Sequence, residues 1–94
     1  MYIYTLFYDD VKMYNRSVFV IPNDEAAKKA MKLNLMEKNA ERFRNEVKDG
    51  HVNLIRLKEF SEEQGIIENG YMNEHVCNLK ELLDENSENN KTTQ

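Results

Sequence analysis

An α+β domain is predicted from three features of the chain. It opens on a β-branched and aromatic run, carries a long stretch of apolar residues spaced three and four apart, and returns to short apolar runs broken by glycine turns. The expected order is β-β-α-β-β-α: a small, mostly antiparallel sheet with one long helix packed on one face. Residues 1–84 form this single α+β domain, and residues 85–94 are expected to be a disordered polar tail.

Residues 2–8, YIYTLFY, suit a strand with apolar groups on both faces, hence one central to a sheet. Asp9 and Asp10 supply turn chemistry. In RSVFVI, Val18 and Val20 point one way and Phe19 and Ile21 the other, so this second strand pairs with the first as an antiparallel hairpin. Pro22 ends it. Asn23 is the expected N-cap, and Asp24 and Glu25 sit where the positive end of a helix dipole favours carboxylates. Ala26, Ala30, Leu33, Met36, Ala40, Phe43 and Val47 trace one apolar stripe, which predicts a single helix to Asp49-Gly50. Asn34 and Asn39 are weak helix formers and mark where a break near Lys38 would fall.

VNLIRLKEF, residues 52–60, is the third strand and IIE begins a short fourth. Between them SEEQG is a solvated turn with Gly65 available for positive φ, and Phe60 with Ile66 or Ile67 anchors the two arms. After Asn69-Gly70, Asn73 is expected to cap a short helix bearing Val76, Leu79, Leu82 and Leu83. ENSENNKTTQ has no apolar residue with which to offset the cost of ordering.

Ninety-four residues suffice for one domain. A chain this short buries roughly 60–65% of its unfolded surface, so self-association is a direct way to add buried area, and a homodimer is expected. The single cysteine, Cys77, excludes an intrachain disulfide and suits a reducing compartment. No apolar run approaches the roughly 20 residues of a membrane span, and the opening lacks a basic n-region and a small-residue cleavage site. A cytosolic protein without membrane partners is expected. The net charge of −4 divides unevenly, +3 up to Lys58 and −7 from Glu59 onward. Such a reversal marks either a local basic face or an acidic end that maintains solubility.

The residues offer little for catalysis. His75-x-Cys77 is the only His–Cys proximity, short of the four ligands of a zinc site, and His51 stands apart. Cys77 has no basic neighbour in sequence to lower its thiol pKa. Asp9-Asp10 and Glu62-Glu63 fall in turns, where a carboxyl group stays solvated and unsuited to acid–base work. The three glycines form no phosphate-binding loop. Neither an enzyme nor a bound cofactor or metal is expected. Lys28, Lys29 and Lys32 cluster on the first turns of the helix, while Lys12 and Arg16 flank Tyr14 in the first hairpin. Cations of this kind neutralise phosphates, and an exposed aromatic stacks on unpaired bases. Glutamates at 25, 37, 41 and 46 give the same helix the mixed signs of an ordinary solvated face.

Two stretches carry a family resemblance. LFYDDVKMYNRSVFVIPNDEAAKKAM is similar to the amino-terminal part of the small nonstructural proteins of gokushovirus-type Microviridae, the single-stranded DNA phages. There a first strand ends in Tyr-Asp, here Tyr8-Asp9, and a turn and an apolar strand lead to Asn-Asp and a helix, here Asn23-Asp24 with Ala26 and Ala27. VNLIRLKEFSEEQGII resembles the family's strand, Glu-Phe, acidic turn and glycine, here Glu59-Phe60, Glu62-Glu63 and Gly65. The resemblance covers roughly residues 3–68. It departs at FRNEVKDG, which prolongs the helix where family members carry a proline-containing loop, and at the acidic tail.

The resemblance implies a nonstructural phage protein made in the bacterial cytoplasm, with no catalytic residue to carry over. It also implies binding of single-stranded DNA during genome synthesis or packaging. The residues suited to that role are Lys12, Arg16, Lys28, Lys29 and Lys32 for phosphates, with Tyr14 as the stacking group. The alternative is a protein-binding adaptor or inhibitor that acts on a host or phage protein without touching DNA, its acidic carboxy-terminal half covering a basic surface.

Overall fold

The computed structural model describes residues 1–68 and 73–92, with side chains as far as Glu85. Its backbone is built on one long antiparallel pairing. β1 (Tyr2–Tyr8) lies against β4 (Val52–Ser61), from Tyr2 opposite Glu59 to Tyr8 opposite Val52. A bulge between Ile3 and Tyr4 lets Leu57 stand out of register and adds local twist. On the outer side of β1, β2 (Met13–Tyr14) pairs near its end and β3 (Phe19–Ile21) near its start. On the outer side of β4, β6 (Glu74–Asn78) pairs near its start and β5 (Gly65–Ile66) near its end. All five pairings are antiparallel, so the α+β class with an antiparallel sheet is observed.

The connection expected to hold one helix holds two. α1 spans Asp24–Leu35 and α2 spans Glu41–Lys48. Asn23 caps α1 as expected, its Oδ1 accepting the Ala26 N–H at 2.8 Å. The chain breaks at residues 36–40, where Arg44 of α2 reaches back and its Nη1 donates to the carbonyls of Leu35 and Glu37 at 2.9 and 2.6 Å. One guanidinium thus satisfies the Leu35 carbonyl at the end of α1 and shares the Glu37 carbonyl with the Ala40 N–H. The break resets the apolar phase. α1 buries Ala27, Met31 and Leu35, whereas Leu33 and Met36, expected on the stripe, are exposed. A single stripe from Ala26 to Val47 assumes a continuous helix, and that assumption misplaces Leu33 and Met36.

The second departure lies before α3 (Leu79–Thr92). Residues 74–78, expected to begin a helix capped by Asn73, form β6 instead. Asn73 has φ 51° and accepts the Tyr14 hydroxyl proton, while Asn78 Oδ1 accepts the Lys80 N–H at 2.9 Å in the capping role. Sheet register overrides local propensity here, because Cys77 opposite Leu54 completes the core face of β4. The backbone of α3 continues into the stretch expected to be a polar tail. The side chains of residues 86–92 and all of residues 93–94 lie outside the described ones.

All three helices cover one face of the sheet. Tyr4, Leu6, Val52, Leu54 and Cys77 meet Ala27, Met31, Leu35, Val47, Leu79 and Leu82 in the core. A polar linkage anchors this layer. Asp24, the first residue of α1, accepts the Tyr4 hydroxyl at 2.7 Å on one oxygen and Arg56 Nη1 at 2.9 Å on the other. Arg56 also pairs with Glu74 of β6 and stands 5.1 Å over the Tyr2 ring. Replacing Asp24 by alanine strands two donors at the edge of the core. Asp24→Ala should lower unfolding free energy by about 2–3 kcal/mol in urea, with an unchanged denaturant slope. A loss below about 0.5 kcal/mol, the scatter of ordinary surface changes, would show that the linkage is ornamental.

Candidate functional site

With the helices on one side, the opposite face of the sheet carries no helix among the described residues and is covered only in part, by the β2–β3 edge. Alternation along the strands places Ile3, Thr5 and Phe7 of β1 and Asn53 and Ile55 of β4 there. A depression on this face is lined by Ile3, Val18, Leu57, Ile66 and the Tyr14 ring, with Thr5, Asn15, Lys58 and Asn73 as its polar members. Thr5 and Ile55 are buried, Thr5 because its hydroxyl donates to the carbonyls of Ser17 and Asn15. Val18, Ile66 and Tyr14 are 57%, 50% and 47% exposed. Large side chains half in water on one contiguous face are the informative kind of exposure, unlike apolar residues scattered singly. Tyr14 is held rather than free: its ring lies 4.7 Å from that of Phe7, and its hydroxyl donates to Asn73 at 2.9 Å. Lys58 at the rim is drawn to Glu68, whose carboxylate lies 3.6 Å away.

The six residues expected to bind nucleic acid divide between two surfaces. Lys12, Tyr14 and Arg16 follow one another on the exposed β1–β2–β3 edge, Lys12 in the turn with φ 57°. Lys28, Lys29 and Lys32 line a groove between α1 and α3, on the helix side, together with Glu25, Glu81 and Glu85. Lys32 forms an ion pair with Glu85. No residue lines both the groove and the depression. The lysines of α1 therefore lie on a different surface from Lys12, Tyr14 and Arg16. The lysines of α1 face carboxylates of α3, and a segregated cationic patch, which polynucleotide binding by an acidic protein requires, is not assembled there.

A polar cluster closes the Tyr8 end of the β1–β4 pair. Asp9 Oδ1 lies 2.8 Å from His51 Nδ1, and Asp9 Oδ2 accepts from Asn53 Nδ2 at 3.0 Å. Asn53 Oδ1 in turn lies 2.9 Å from His75 Nε2 and accepts from Asn78 Nδ2 at 3.2 Å. An amide oxygen only accepts, so His75 carries a proton on Nε2. The hydrogen bond from Asp9 raises the His51 pKa above its ordinary value, and the bonds from His51 and Asn53 hold Asp9 below the usual carboxylate range. His75 and Cys77 do not converge, since Cys77 points into the core, where burial pushes its thiol up to about 11. Among the described residues no group of three or more His, Cys, Asp or Glu is placed to hold a metal ion, and no helix is long and apolar enough to cross a membrane.

Comparison with protein-family models, curated proteins and solved structures finds no match for this chain. The depression is the surface that sequence reasoning missed. Its residues read as strand interior, although β1 is apolar on both faces while only one amphipathic helical layer follows. That mismatch is the signal that an apolar face stays uncovered.

The Asp9–His51 pair makes a signed prediction. The raised His51 pKa contributes stability fully present below its unfolded value, about 6.5, and lost as pH rises through the folded value. The lowered Asp9 pKa contributes stability present above about 3.8 and lost as pH falls through the folded value. In an NMR titration the His51 ring should titrate above pH 6.5, and Asp9→Asn should bring its midpoint down. A midpoint insensitive to Asp9→Asn would break the assignment.

Proposed function

We propose that this chain is a non-enzymatic accessory protein that works by docking another protein chain against the helix-free face of its sheet. The observation that carries the reading is the depression itself: aliphatic side chains from β1, β4, β5 and the segment before β3, ringed by a few polar groups. That composition matches the core of a protein interface, where apolar and aromatic groups sit inside a polar rim. Nucleotide platforms, by contrast, present several aromatic faces along a cationic track. Only Tyr14 among the lining residues is aromatic, and only Lys58 is cationic. In the setting implied by the resemblance to Microviridae nonstructural proteins, the docked chain is a phage or host protein in the bacterial cytoplasm.

A second reading, single-stranded DNA binding, keeps one observation in its favour. Tyr14 lies between Lys12 and Arg16 on an exposed edge, which suits one stacked base and its flanking phosphates. The lysines of α1 add nothing to it.

Docking is tested with Val18→Glu and Ile66→Glu, both at exposed positions, so an unchanged circular dichroism spectrum is expected. Wild-type protein immobilised in nuclease-treated bacterial lysate should retain a partner that both variants lose. Identical recovery by wild type and variants would end this reading. For DNA, a labelled oligonucleotide titrated at low salt should show a slope of about −1.4 in log affinity against log salt if two phosphates are contacted. Lys12→Glu with Arg16→Glu should abolish that binding and Lys28→Glu should leave it unchanged. Absence of binding at micromolar protein removes the DNA reading.

A further inference from the structure

Where α1 breaks into α2, a second hollow opens toward the chain between β2 and β3. It encloses about 550 Å³, the size of a site for a small organic molecule, and shares only Asn15 with the depression. Its floor is apolar: Leu6 and Met31 are buried there, and the partly buried Phe19 and Phe43 rings, packed against the core, complete it. Its mouth is polar, with Ser17 on the strand side and Asn34, Glu37 and Asn39 on the helix side, all exposed.

The backbone on both sides is fixed by the fold itself. On the strand side the Asn15 N–H donates to the Leu6 carbonyl at 2.8 Å, and the Asn15 side chain accepts the Ser17 N–H at 3.0 Å. On the helix side Arg44 holds the Leu35 and Glu37 carbonyls, and the Ala40 N–H donates to Glu37 at 3.2 Å. The side chains of Ser17, Asn34, Glu37 and Asn39 take no part in these contacts and make no hydrogen bond among the described residues. A site whose frame is already ordered and whose polar groups are unspent loses little freedom on binding.

Charge and shape together select the ligand. Glu37 is the only ionisable residue that lines the hollow, so a phosphate would meet a carboxylate with no lining cation to offset it. An apolar floor with two phenyl rings suits a flat heterocycle, since every nucleobase offers a π face. A carboxylate, with two acceptor oxygens, pairs best with two neighbouring N–H donors. Guanine presents such a pair at N1 and N2. Adenine and cytosine present one amino group beside an acceptor nitrogen, which would face the second carboxylate oxygen. The amides of Asn34 and Asn39 supply donors for the guanine carbonyl next to N1.

We propose that this hollow binds an unphosphorylated guanine nucleoside, its ring on Phe19 and Phe43 and its N1–H and N2–H donating to the Glu37 carboxylate. The site is separate from the docking face, and the two readings stand or fall independently.

The test is a titration of the isotope-labelled full chain with guanosine, adenosine and guanosine monophosphate, followed by amide NMR shifts. Guanosine should move the amides of Ser17, Asn34, Glu37 and Asn39 saturably, and adenosine and the monophosphate should each bind more weakly. Glu37→Gln, at an exposed position, should leave the circular dichroism spectrum unchanged. It should weaken guanosine about tenfold and abolish the preference over adenosine. No saturable shift at millimolar guanosine overturns the inference, as do shifts centred away from these four residues. Guanosine monophosphate binding as tightly as guanosine overturns it too, and so does a guanosine affinity that Glu37→Gln leaves unmoved.

Discussion

Asp24 decides which side of this protein is covered. Its carboxylate takes the Tyr4 hydroxyl and the Arg56 guanidinium at once, tying the first turn of α1 to neighbouring residues of the two central strands. Neither bond forms unless Tyr4 and Arg56 point toward the helices. A one-residue slip of either strand would reverse them and turn every core residue outward. Burial raises the Tyr4 pKa, and the adjacent carboxylate raises it further, so the phenol stays a donor. The arrangement leaves Arg56 Nε buried without a partner among the described residues, a local cost that the remaining contacts offset.

Once that side is fixed, the bare face follows. Three short helices span one face of a four-strand-wide sheet, and the chain contains no further amphipathic element among the described residues. The β2–β3 edge covers part of the opposite face, where Thr5 binds the backbone at residues 15 and 17 and Tyr14 packs on Phe7. The cover ends there. Ile3, Leu57, Val18 and Ile66 are left around an open centre, and function is best sought where apolar area exceeds what the fold itself buries.

Local chemistry made much of the fold legible, and long-range register concealed the rest. Asn23, Gly50 and Gly65 behave as their residue types dictate: a cap at 2.8 Å and two glycines with φ near 80°. The Phe60–Ile66 pairing follows from a turn flanked by apolar arms. What stayed hidden depends on partners distant in sequence. β6 looks helical in isolation because Leu79, Leu82 and Leu83 follow it, yet Cys77 is needed opposite Leu54. The break after Leu35 is stabilised by Arg44, nine residues on, whose role no periodicity reveals. The candidate nucleic-acid residues were legible as charges but not as a surface, since lysines on a helix face declare nothing about what packs beside them.

The charge asymmetry shows why that distinction matters. An excess of cations up to Lys58 and of anions after it reads, along the line of the sequence, as two faces turned toward two partners. In the fold the two halves meet. α3 returns to lie beside α1, and Glu81 and Glu85 stand across a shared groove from Lys28, Lys29 and Lys32. Much of the basic cluster is thus spent on the molecule's own acidic segment, an exposed pairing worth little in stability but enough to orient one helix against the other. Other charges, among them Lys12, Arg16, Lys38 and Lys48, stay exposed and are spread over several surfaces, so charge singles out no docking surface. The depression is set apart instead by its half-exposed apolar side chains, Val18 and Ile66 beside the Tyr14 ring.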